Sequence, residues 1–160
     1  MKPVHPLLVH FPIVLLFLSV GIDLVAFFTG NASLRNTGWW VLTGAALGGV
    51  VTVAAGVYDM RRATLTDDVH ELVHQHMKVG FVLLAAIIGL TLWRWTVYLQ
   101  PQQSVSAIYL DVALLTVGLA GFQGWLGGEL VFSHGVFVQH APSRAGADEA
   151  SKPAKSAHKH

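Results

Sequence analysis

Nine histidines and no cysteine define the chemistry open to this 160-residue sequence. Without thiolates, disulfides, iron–sulfur ligation and covalent c-type haem attachment are excluded, so a bound metal or haem must be held by His, Met or carboxylate. His70 and His74 stand at i and i+4, a spacing at which two imidazoles on one helix face can chelate a divalent ion. Glu71 and His74 also form an E-x-x-H, which di-iron bundles use in two copies; here a single copy stands beside Glu129. The plainer alternative is a solvated helix start, with Asp67 or Thr66 as its cap. No nucleophile elbow, P-loop or dinucleotide fingerprint occurs, which argues against hydrolytic or nucleotide-driven chemistry.

These residues sit in a chain that is 53% hydrophobic and only 12% charged, with mean hydropathy +0.55. That balance lies outside soluble-globular usage and requires lipid to face. A formal charge of +1 without a basic aromatic patch excludes the electrostatic footprint of a nucleic-acid binder. A spanning helix needs about 20 apolar residues, because the hydrocarbon core is about 30 Å thick and a helix rises about 1.5 Å per residue. Four runs qualify: Pro6 to Phe28, Gly38 to Tyr58, His76 to Tyr98 and Asp111 to Phe132. The sequence therefore predicts an all-α, antiparallel four-helix transmembrane bundle over residues 1–138 and a disordered tail over 139–160, where Pro, Ser, Ala, Lys and Glu take over. The first run is too long for a signal peptide and lacks a small-x-small cleavage site. No internal repeat of the transporter kind is visible.

Lys2, Arg61, Arg62, Lys78, Arg144, Lys152, Lys155 and Lys159 fall on one side of these spans, and only Arg35 and Arg94 on the other. The positive-inside rule then predicts that both termini are cytoplasmic, and Trp39, Trp40, Trp93, Trp95 and Tyr98 form an aromatic belt at the outer surface.

With the spans drawn, every histidine falls at one face. His5 and His10 open the first span, His70, His74 and His76 lead into the third, and His134 and His140 follow the fourth, while His158 and His160 lie in the tail. A two-haem transmembrane wire needs histidine pairs near both faces, so this chain has ligands for one layer only. The expectation is one b-type haem near the cytoplasmic face, with His10 and His76 as the preferred axial pair and His134 as the alternate, drawn from different helices. Gly80 lies one turn beyond His76, and Gly124, Gly127 and Gly128 lie just inside His134, leaving bare backbone for a porphyrin plane. Glu129 shares this depth and suits the second nitrogen of a ligating imidazole. The competing reading makes the histidines interfacial anchors and the glycine pairs Gly44 with Gly48 and Gly124 with Gly128 helix-packing positions. Asp23, ionisable inside the outer part of the first span, is expected to pair with Arg35 or Arg94 or to serve a proton relay; Asp111 is another partner for Arg94.

Three stretches carry a resemblance: His5-Pro6-Leu7-Leu8-Val9-His10-Phe11-Pro12, Ala55-Gly56 to Asp59, and Gly124-Trp125-Leu126-Gly127-Gly128-Glu129-Leu130-Val131 followed by His134-Gly135. Together they resemble the bacterial membrane family catalogued as DUF2231, a domain of unknown function, over nearly all of Met1 to Val138. The resemblance implies a four-helix membrane domain, sometimes linked to Rieske iron–sulfur or c-type cytochrome modules, and hence electron transfer. It points at His5, His10, His76, His134, Asp23, Asp59 and Glu129. Where the family often shows His-x-x-x-Asn at the start of the third helix, this chain has His76-Met77-Lys78-Val79-Gly80, so any role of that asparagine is missing. The expected partners are the lipid bilayer, quinone, a cytochrome or iron–sulfur subunit and further copies of the chain. The alternatives are a small metal-ion or proton transporter using His70, His74 and the inner carboxylates, and a non-catalytic anchor or assembly subunit.

Overall fold

The computed structural model describes residues 3–62, 67–98 and 105–135, with the side chains of 67, 68, 97 and 98 left aside. The expected tail, His140, His158, His160 and the proposed cap Thr66 lie outside the described residues, as does the side chain of the other cap candidate, Asp67. Helix α1 covers His5–Leu8, α2 His10–Thr29, α3 Ala32–Met60, α4 Asp67–Tyr98 and α5 Ala107–Phe132. The described residues contain no strand. Among the described residues four stretches are long and apolar enough to cross a membrane: His5–Thr29, Ala32–Met60, Val69–Thr96 and Ala107–Phe132.

Local signals explain the boundaries. Gly30 ends α2 in the left-handed conformation at φ 66°, and its N–H bonds Ala26 O, a geometry that glycine adopts without a Cβ penalty. Asn31 at once caps α3, its Oδ1 accepting the N–H groups of Ser33 and Leu34 at 2.9 and 3.2 Å. The turn is therefore only two residues, and α3 begins well before the apolar run at Gly38, because a cap starts a helix wherever donors need partners, in or out of lipid. Ser106 does the same for α5, accepting Tyr109 N–H at 3.2 Å. The break at Val9 follows from Pro12, which has no N–H to offer the Leu8 carbonyl four residues back.

The spans run antiparallel, and sequence neighbours pack side by side, with the fourth closing more thinly onto the first. Leu16, Leu42, Ala45, Ile87, Leu90 and Ala113 fill the core. Lipid-facing positions remain apolar and open, as at Leu115, 74% exposed, and Phe132, 90% exposed; in a bilayer these are solvated by acyl chains. The expected packing of Gly44 and Gly48 is present, since a Cβ there would stand 3.3 Å from Leu15 and 3.2 Å from Phe11. At Gly124 and Gly128 the chain itself supplies no such neighbour: a Cβ on Gly124 would meet nothing within 4 Å, and one on Gly128 only Phe132 of its own helix.

Candidate functional site

The two ends of the bundle are built differently. At the end away from the histidines, the Arg94 guanidinium grips Asp23 with Nε to Oδ2 at 3.2 Å and Nη2 to Oδ1 at 2.8 Å. Both side chains are almost wholly buried, at 2% and 0% exposure. Tyr109 donates its hydroxyl to Asp23 Oδ2 at 3.1 Å, and Arg94 Nη2 also bonds the Arg35 carbonyl at 2.6 Å. Of the partners the sequence allowed, Asp23 takes Arg94; Arg35 enters through its main chain, and Asp111 is exposed. All four spans, the second through the Arg35 carbonyl, thus satisfy one buried charge pair, which burial without such bonds would make costly. Trp39, Trp40 and Trp95 pack around this end, with ring centres 4.6 to 5.1 Å apart.

The histidine end holds a partly open cavity instead. A cavity of about 490 Å³ is lined by all four spans, with His5, His10, His76 and Gln123 among otherwise mainly apolar walls and Gly80, Gly124, Gly127 and Gly128 along them. His5 is held by α3. Its N–H and that of Val4 donate to Asp59 Oδ2 at 2.8 and 2.7 Å. Its Nδ1 lies 2.9 Å from the Thr52 carbonyl. A carbonyl only accepts, so Nδ1 carries a proton, and the neutral form of a ring so held has its lone pair on Nε2. Gly56 makes the approach feasible, because a Cβ there would stand 3.0 Å from Nδ1. Thr52 also donates its hydroxyl to the Leu8 carbonyl, freed by Pro12, at 3.4 Å.

His76 faces His5 across the cavity end, the ring centres 6.1 Å apart and the planes at 89°. Gln123 Nε2 donates to the His76 carbonyl at 3.0 Å and stands 3.1 and 3.3 Å from the two ring nitrogens. Its Oε1 is buried without a hydrogen-bond partner among the described residues. A Cβ on Gly127 would press on His76 Cε1 at 3.2 Å, and one on Gly80 on Gln123 Nε2 at 3.1 Å, so those two glycines seat this pair.

The other sequence candidates stand elsewhere. His10 touches the cavity but its ring is exposed; residues five apart lie about 140° round a helix, so His5 and His10 do not share a wall. His134 is exposed, with Nδ1 3.2 Å from the Glu129 carbonyl of its own helix, and neither His134 nor Glu129 lines the cavity. His70 and His74 do pair, ring centres 4.8 Å apart, but they lie off the cavity, and the described residues gather no set of three His, Asp or Glu ligands. Reasoning from the residues preferred His10 to His5 and passed over Gln123, Thr52 and Tyr109. Gln123 had a readable signal, a polar amide amid Gly118 to Gly128 of a span.

The family model described as "Predicted membrane protein (DUF2231)" matches residues 1–140. No curated protein and no solved structure matches the chain.

Proposed function

The chain belongs to the DUF2231 family of predicted membrane proteins, and from that premise we propose a membrane redox subunit that binds one b-type haem in the histidine-end cavity. The observation that carries this reading is the His5–His76 pair. His5 and His76, from different spans, would hold the metal, since two imidazoles with nitrogens about 2 Å from one ion have ring centres no more than about 6 Å apart. The ring centres are 6.1 Å apart with perpendicular planes, on the wall of an apolar cavity of about 490 Å³. That volume lies within the 300–1,000 Å³ range, roughly, of cofactor sites. The open backbone at Gly124 gives a flat molecule room to lie.

His5 would hold the group through Nε2 and His76 through a ring nitrogen now beside Gln123 Nε2. Gln123 bonds the His76 carbonyl and so ties the third span to the fourth beside the ring. The apolar walls exclude water and favour the less charged redox state. Haem bound here would supply a one-electron centre near one membrane face, within reach of quinone in the bilayer or of a cytochrome or iron–sulfur partner. The distribution of Lys and Arg supports a cytoplasmic position for this end, and the resemblance to a bacterial membrane family supports a bacterial inner-membrane location.

The test is a reduced-minus-oxidised spectrum of protein purified in detergent from haem-replete cells. A bis-imidazole b-type spectrum is expected, abolished by His5→Ala and by His76→Ala. A colourless protein overturns the proposal.

A further inference from the structure

We propose that the histidine-end face of α3, formed by Thr52, Gly56 and Asp59, is a positioning device for His5 that presents its Nε2 as the leading donor atom for a Lewis-acidic centre. The three residues follow at spacings of four and three, so they share one helix face. Each performs a separate task on the same residue. Asp59, buried, takes the Val4 and His5 N–H groups on one oxygen at 2.7 and 2.8 Å and pins the backbone. The Thr52 carbonyl, 2.9 Å from Nδ1, sets the ring rotation and the tautomer. Gly56 clears the 3.0 Å approach that any Cβ would obstruct. An N–H donated to a carbonyl from the far nitrogen is the arrangement that orients metal-bound imidazoles and raises their basicity. A histidine serving only as an interfacial anchor requires none of these three fixtures. The ligand part of this inference rests on the haem reading; the tautomer part stands without it.

Two measurements on the full chain test the two parts. The first is nitrogen-15 NMR of histidine-labelled protein in lipid nanodiscs, with His5 assigned by its loss in His5→Gln. A neutral ring protonated at Nδ1 is expected, and a ring protonated at Nε2 overturns the device. The second is haemin titration in a cycle with exogenous imidazole. Asp59→Ala is expected to weaken haemin binding about tenfold or more in the native background. In His5→Gly supplied with imidazole, which needs no backbone clamp, the same change is expected to leave binding unaltered. Equal losses in both backgrounds make Asp59 merely structural and overturn the proposal. Asp59→Asn, which retains an acceptor, serves where Asp59→Ala fails to fold and is expected to fall between. Wild-type protein that takes up no haemin overturns the haem reading and the donor role with it, while the NMR result still decides the tautomer.

Discussion

Arg94 closes on Asp23 across 71 residues of sequence with a two-point grip at 2.8 and 3.2 Å, and the pair ties the third span to the first at the end remote from the histidines. Removing one partner leaves the other buried and unpaired, a loss of about 3–5 kcal/mol. Asp23→Ala and Arg94→Ala are each expected to lower stability by that amount in detergent unfolding. The double variant is expected to lose far less than the sum, and additive losses would disprove the coupling.

Gly38 sits against the Asp23 carboxylate so closely that a Cβ would overlap Oδ1, and its carbonyl accepts the Ser19 hydroxyl at 2.9 Å. Gly38→Ala is therefore expected to cost about 1–3 kcal/mol, against the usual gain from replacing glycine in a helix. Thermal unfolding decides the sign. Gly89→Ala, where a Cβ meets nothing within 4 Å, is the control.

Gly124 borders the cavity with nothing within 4 Å of a Cβ. Gly124→Leu is expected to leave stability unchanged or raise it by up to about 1 kcal/mol through helix propensity. By occupying the cavity it is expected to abolish the haem spectrum. A variant that keeps the full spectrum places the cofactor elsewhere.

His10 and His134 are exposed, and neither is held toward His76. His10→Ala and His134→Ala are expected to retain the haem spectrum that His5→Ala loses. Loss in His10→Ala with retention in His5→Ala would restore the pair preferred on spacing.

Much of the fold was legible because its causes are local. Apolar length marks a span through bilayer thickness, and Gly30 with Asn31 marks a turn through backbone geometry and capping. Hydropathy understated the helices, since α3 starts at Ala32 rather than Gly38: lipid selects the apolar part, whereas hydrogen bonding carries the helix beyond it.

The sequence by itself determined that this is a four-span membrane bundle and that its histidines gather at one end, because both depend only on order along the chain and on length. It left open which imidazole meets which. That depends on helix rotation, on the Pro12 break that frees the Leu8 carbonyl for Thr52, and on Asp59 reaching the first residues across 54 positions. Only the tertiary structure brought His5 rather than His10 against His76 and gave Asp23 to Arg94 rather than Arg35. Such contacts are made by side chains on different helices, and their partners are chosen by packing, which no spacing within one helix encodes.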